Sequence, residues 1–284
     1  MTVRVGVVLF PGSNRDIDAV NALRLAGAEP EVLWHEDADL AGVAGILLPG
    51  GFAYGDYLRA GVIARFSPVM RAVADFAGRG GPVLGICNGF QVLAEARLVP
   101  GALLRNRGLR FVCREIALLP EHMDTPFTRE IGQRRPLRMP VAHGEGCYYA
   151  DEATLDELER DGGVLWRYAN ADGSVAGPED AGNPNGSLRG IAGVRNAAGN
   201  VAGLMPHPET AVETILGSDD GLGIIRSLVA SAAEWASTGS MAGTRVVAAA
   251  ATGGTAQAPA VEAATAEAAT AAAATAPAAA GGPA

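Results

Sequence analysis

The residues best placed to do chemistry in this chain surround one cysteine, in Gly85-Ile86-Cys87-Asn88-Gly89-Phe90-Gln91, directly after the apolar run 82–86. Glycines two positions before and after a nucleophile are what a sharp strand-to-helix turn requires. Such a turn exposes the sulfur and sets it at the first N–H groups of a helix. The positive end of the helix dipole there favours thiolate over thiol. The N–H of Asn88 is then placed to stabilise an oxyanion. Taken alone, the pattern also fits a buried structural cysteine. It fits as well a cysteine whose role is to be oxidised, as in a redox sensor or chaperone.

A thiol nucleophile needs a base, and the chain has four histidines. His35, in Trp34-His35-Glu36-Asp37, reads as part of a solvated turn, and His122 as part of an exposed loop. His143, in Ala142-His143-Gly144-Glu145-Gly146, sits in a glycine-bounded loop suited to binding more than to proton transfer. His207 follows the apolar run 201–204, in Pro206-His207-Pro208-Glu209. Two prolines stiffen that loop, and Glu209 is placed to orient the imidazole and stabilise its cation. Cys87, His207 and Glu209 thus form a candidate triad, distant in sequence and adjacent only in the fold. A third element, Pro49-Gly50-Gly51-Phe52, ends another apolar run. Its glycines let a backbone amide approach a substrate, giving a second oxyanion donor. No Gly-Lys-Ser/Thr follows, so this is not a phosphate-binding loop and ATP binding on this chain is unsupported.

The elements that must position these groups follow from periodicity. Residues 3–10 are a continuous apolar run, the pattern of a parallel strand covered on both faces. Residues 31–34, 45–49 and 82–86 are further strands, and 16–26 and 68–77 have helical spacing. Alternation of this kind predicts an α/β fold with an open, mostly parallel sheet flanked by helices. The middle differs: strands at 108–119, 137–141, 166–169, 190–195 and 201–204 are separated by Gly, Asn and Pro turns. An acidic helix at 152–161 interrupts them, and a closing amphipathic helix spans 221–235. One domain, residues 1–236, accounts for all of this. Residues 237–284 are an Ala-rich, low-complexity tail with no apolar stripe, expected to stay disordered.

The bulk properties exclude several classes. The 284 residues carry 22 Lys+Arg against 31 Asp+Glu, a net charge of −9, which argues against a nucleic-acid partner. No window reaches the ~18 apolar residues of a spanning helix, so no membrane is expected. Cys87, Cys113 and Cys147 are odd in number, far apart and without a CxxC pair. That points away from disulfides and zinc and towards a reduced, cytoplasmic setting. The first ten residues carry no basic segment ahead of the apolar run and read as a strand rather than a targeting peptide.

The set Pro-Gly-Gly, Gly-x-Cys-x-Gly-x-Gln and Pro-His-Pro-Glu resembles the class I (triad) glutamine amidotransferases, whose fold is flavodoxin-like. Phe10-Pro11-Gly12-Ser13-Asn14, Tyr54-Gly55-Asp56-Tyr57-Leu58-Arg59-Ala60-Gly61, Thr125-Pro126-Phe127-Thr128, Ala142-His143-Gly144-Glu145-Gly146 and Asn183-Pro184-Asn185-Gly186-Ser187 narrow the match. They are similar to the family of glutaminase subunits of phosphoribosylformylglycinamidine synthase, over residues 3–235. The resemblance implies that Cys87 attacks the side-chain amide of L-glutamine, with His207 as base then acid and Glu209 as its orienter. It implies that the amides of Gly51 and Asn88 hold the oxyanion beside Gly50, and that Gln91 and the His143-Gly144 loop bind glutamine. It further implies a partner in the form of a large synthetase subunit, often with a small third subunit. That partner uses ATP and Mg to convert formylglycinamide ribonucleotide to the amidine, in purine synthesis, leaving no cofactor or metal on this chain. Three departures stand out: Arg15 where relatives often have Cys, Cys147 where a basic residue is common, and the tail.

Overall fold

The computed structural model describes residues 2–241 and 244, which lie within a compact unit spanning Met1–Val247. The Ala-rich tail expected to be disordered therefore falls almost entirely outside the described residues. Among those described, one mixed sheet has nine strands in the order β2-β1-β3-β4-β11-β10-β9-β6-β7. Its first half is parallel: β1 (Arg4–Leu9), β2 (Glu29–Trp34), β3 (Gly45–Leu48), β4 (Val83–Ile86) and β11 (Val201–Leu204). β3 and β4 are buried along their whole length, which explains their unbroken apolar sequences. The second half is antiparallel: β10 (Ile191–Arg195), β9 (Val164–Ala169), β6 (Val112–Pro120) and β7 (Leu137–His143). A separate pair joins β5 (Ala102–Leu104) to β8 (Cys147–Tyr149).

Helices cover the sheet, most by burying one stripe, while α3 (Asn88–Glu95) is buried all round over Asn88–Leu93. α2 (Pro68–Gly78) starts with proline at its first position, where no N–H is needed, and buries Val69, Met70, Val73, Phe76 and Ala77. α4 (Glu152–Arg160) is capped by Asp151, whose carboxylate accepts the Thr154 N–H at 2.7 Å. α1 (Asp16–Leu25) and α5 (Leu222–Thr238) pack against each other and against β1. α3 follows β4 with Cys87 alone between them.

The parallel order 2-1-3-4-11 is the doubly wound arrangement, in which ligands bind in the crevice outside the strands' carboxyl ends. The loops after β1, β3, β4 and β11 all open on that end. α3 reaches it by very close packing. A Cβ on Gly89 would lie 2.1 Å from the Leu48 carbonyl oxygen, and one on Gly203 2.1 Å from the Phe90 ring. The expected strand at 108–119 begins later, at Val112. Leu109 has φ +51° and its N–H closes a turn on Asn106, which no strand residue does. β5 and β8 were not legible as strands at three residues each.

Because the carbonyl facing Gly89 belongs to a buried strand, it cannot yield. Gly89→Ala is expected to destabilise the fold by about 2–3 kcal/mol, read as a lower urea midpoint; an unchanged midpoint would contradict this packing.

Candidate active site

Cys87 sits at the turn between β4 and α3 with φ +50° and ψ −105°. A side-chain-bearing residue pays about 1–3 kcal/mol for such a conformation. The surroundings hold it there. Its N–H donates to the Leu204 carbonyl at 2.8 Å and its own carbonyl accepts from Gln91 at 3.1 Å. A Cβ on Gly85 would lie 2.6 Å from Leu93 and 2.7 Å from Gly89, so both flanking glycines are sterically required. Cys87 is 5% exposed, and its sulfur is 3.7 Å from the Ala142 carbonyl oxygen near the end of β7.

His207 lies on the loop leaving β11, its N–H donating to the Pro140 carbonyl at 2.9 Å. β7 is the edge strand of the sheet, where a proline's missing N–H costs no ladder bond and its carbonyl is free to receive this loop. The Nδ1 of His207 and Oε1 of Glu209 are 2.6 Å apart, both side chains almost wholly buried. The imidazole packs over Gly50, where a Cβ would come within 2.8 Å of its Cε1. Its Nε2 is buried with no hydrogen-bond partner among the described residues. Burial alone would lower the imidazole's pKa, but Glu209 and the Cys87 sulfur together push it up to about 10. A cationic imidazole beside Cys87 supports the thiolate and carries the proton that a leaving amine needs.

The Pro-Gly-Gly loop is sewn to the loop after β1. Phe52 N–H donates to Gly12 at 2.9 Å and Tyr54 N–H to Pro11 at 2.7 Å, and Ser13 bridges Gly51. Gly51 has φ +155°, and a Cβ there would strike the Ser13 backbone at 2.7 Å. Its N–H enters none of these backbone bonds. The Asn88 N–H, at the first residue of α3, has no intrahelical acceptor. These are the two candidate oxyanion donors, and the Asn88 side chain fixes their spacing. Its Oδ1 accepts from Ala53 N–H at 3.0 Å, and its Nδ2 donates to Gln91 Oε1 at 2.9 Å. Gln91 Nε2 in turn donates to the Glu145 carbonyl at 2.6 Å, joining α3 to the glycine-bounded loop.

The structure brings Cys87, His207, Glu209, Gly50, Gly51, Asn88 and Gln91 to one place. His143 stands beneath them, 2% exposed. Its Nδ1 pairs with Asn106 Oδ1 at 3.1 Å and its Nε2 with Asn185 Nδ2 at 3.4 Å. Burial and the neighbouring His207 push it down to about 3, so it is neutral and donates through Nδ1. The Gly144 carbonyl accepts from Asn106 N–H at 2.9 Å. Asn106 has no counterpart among the motifs quoted above, and Asn185 and Asp56 stand there only within quoted segments, without a role of their own. Asn106 bonds locally to the Arg110 carbonyl, but the bonds that bring it to the site reach His143 and Gly146, 37 and 40 residues away. Asp56 lies 3.3 Å from Asn88 Nδ2; burial, then Glu145, push its carboxyl up to about 6 against that hydrogen bond. His35, expected in a solvated turn, is 9% exposed, because the Tyr54 hydroxyl and Trp34 ring close over it. Among the described residues no group of three or more His, Cys, Asp or Glu is arranged to hold a metal.

Residues 2–220 match the family of CobB/CobQ-like glutamine amidotransferase domains. The chain is 57% identical over 230 residues to the phosphoribosylformylglycinamidine synthase subunit PurQ of Rubrobacter xylanophilus, covering 81% of this chain and 99% of the relative. It is 54% identical to the subunit of the same name from Salinibacter ruber, covering 81% and 97%. Among solved structures, PurLQS from Thermotoga maritima aligns with a TM-score of 0.70 at 42% identity, over 81% of this chain and 99% of that chain. A protein from Thermoplasma acidophilum, described as a putative GMP synthase subunit, shares the fold at a TM-score of 0.55 and 16% identity, over 84% of this chain and 97% of that chain.

Glu209→Gln removes the main charge that raises His207. Its titration, followed by NMR of the imidazole carbon-bound protons, is expected to fall well below about 10, and kcat to drop about 100-fold or more. Linkage supplies a second reading. A raised imidazole stabilises the fold fully below its ordinary 6.5, and that contribution drains away as pH rises towards 10. The denaturant midpoint of the wild-type chain should therefore fall across this window more steeply than that of Glu209→Gln; parallel curves would contradict the pairing.

Proposed function

The chain belongs to the CobB/CobQ-like glutamine amidotransferases and, among them, to the PurQ glutaminase subunits of phosphoribosylformylglycinamidine synthase, and on that footing we propose how its site works. The Cys87 thiolate attacks the side-chain amide carbon of L-glutamine. The oxyanion forms against the N–H groups of Gly51 and Asn88. His207 gives its proton to the departing amine through Nε2, releasing ammonia and leaving a γ-glutamyl thioester on Cys87. The neutral imidazole then takes a proton from water as it attacks the thioester, and glutamate leaves with the sulfur restored. Glu209 holds the imidazole orientation and its charge throughout. The observation that carries this reading is the buried His207–Glu209 pair beside the Cys87 sulfur.

Gln91 and the His143-Gly144 loop shape the glutamine pocket, with His143 acting through the loop it braces. Ammonia passes to the synthetase subunit, which uses ATP and Mg to convert formylglycinamide ribonucleotide to the amidine in purine biosynthesis, so that this chain needs no cofactor of its own. The joint name PurLQS of the solved relative supports an assembly with PurL and PurS chains. The setting is the cytoplasm, supported by three free cysteines, and no described helix is long and apolar enough to cross a membrane.

In the assembled enzyme, Cys87→Ala is expected to abolish glutamine-dependent synthesis while added ammonium salts still support it. A glutamine-analogue electrophile, 6-diazo-5-oxo-norleucine, should label buried Cys87 and spare exposed Cys113 and half-buried Cys147. Peptide mapping that finds the label on all three thiols would overturn the assignment.

A further inference from the structure

The loop that carries Gly51 does something unusual three residues later. Tyr54, Gly55, Asp56 and Leu58 all adopt left-handed backbone, with φ of +55°, +68°, +53° and +69°. Three of these are not glycine, and each resists that conformation, so something outside the loop must hold it. The inner half, residues 51–54, is stitched to the loop after β1 by backbone bonds. Two side-chain tethers hold the turn at 54–56: Asp56, whose Oδ1 accepts from Asn88 Nδ2 at 3.3 Å, and Tyr54. Its hydroxyl shares one hydrogen bond with His35 Nδ1 at 2.8 Å and another with Ser67 Oγ at 2.9 Å. Tyrosine has one proton to give, so at least one of these partners donates its own.

Both anchors are rigid parts of the scaffold. His35 follows β2 directly, packed edge-on against Trp34. Ser67 precedes α2 at the position where serine ordinarily caps a helix, yet it makes no cap bond and turns its hydroxyl to Tyr54 instead. Val69 N–H donates to the His35 carbonyl at 3.1 Å, tying the two anchors together. Ser67 and His35 are 7% and 9% exposed, so the Tyr54 tether is shielded from competing water. Ala53, which Asn88 Oδ1 grips, lies between the tether and Gly51.

We propose that Tyr54 is a positioning residue for the oxyanion hole: its hydroxyl, clamped between His35 and Ser67, fixes the left-handed turn at 54–56 and thereby the aim of the Gly51 N–H. The role rests on the Cys87-centred reading above. It acts where the transition state differs from the bound substrate, because the oxyanion forms only as the carbon becomes tetrahedral.

Tyr54→Phe keeps the ring and removes both bonds. In the assembled enzyme, glutamine-dependent kcat is expected to fall about tenfold or more, with KM for glutamine within about twofold of wild type. Ammonia-dependent synthesis should be unchanged. So should the rate at which iodoacetamide alkylates Cys87, a displacement that builds no oxyanion. The double variant His35→Ala/Ser67→Ala, which leaves Tyr54 in place without partners, should reproduce the loss. Wild-type kcat in Tyr54→Phe would overturn the proposal, as would an equal loss of ammonia-dependent synthesis or of alkylation rate. If Cys87→Ala is inactive with glutamine while Tyr54→Phe is normal, only the role of Tyr54 fails. If Cys87→Ala still uses glutamine, the nucleophile itself is wrong.

Discussion

Everything in this structure that bears on chemistry is arranged around a buried pair of opposite charges, His207 and Glu209, 2.6 Å apart and almost out of reach of solvent. Burying an isolated carboxylate is prohibitive, and a buried pair is tolerable only when its geometry is fixed. The chain secures that geometry with two prolines around His207 and a short helical turn at Pro208–Thr210. The bare backbone of Gly50 under the ring and a carbonyl from the far edge of the sheet complete the seat. That last contact explains why the antiparallel half exists as far as the site is concerned. β7 lies at the opposite end of the strand order from β2, yet its carbonyls meet both His207 and the Cys87 sulfur.

Glycine works here by making room more than by bending the chain. Gly85 and Gly89 let α3 descend onto β3 and β4, and Gly50 admits the imidazole. Gly51 passes the neighbouring backbone of Ser13 with no space for a side chain. Close approach of main chain to main chain puts donors where charge will develop, with little left to reorganise at the moment of reaction.

Features whose cause is local were legible in the sequence. The cysteine turn, the glycine pair and the proline-bracketed histidine each announce a backbone geometry within a few residues. The inner parallel strands β3 and β4 announce themselves by burial on both faces. Features whose cause is distant were not legible. Asn106 is one asparagine among arginines until the fold brings His143 and Gly146 to it. His35 sits among acidic residues and looks solvated, but Tyr54 and Trp34 cover it. The start of β6 depends on a left-handed leucine, which no residue type at position 109 would suggest. The strands β5 and β8 are too short to show a period.

Pro140 has one more effect. An open sheet ends in a row of unpaired donors and acceptors that can recruit a strand from another molecule and so seed aggregation. On β7 that row is broken in the middle, because residue 140 has no N–H to offer and its carbonyl is already taken by the loop bearing His207. The loop bearing His207 therefore also acts as a guard on the sheet's rim, and a change that loosened it would expose the chain to self-association.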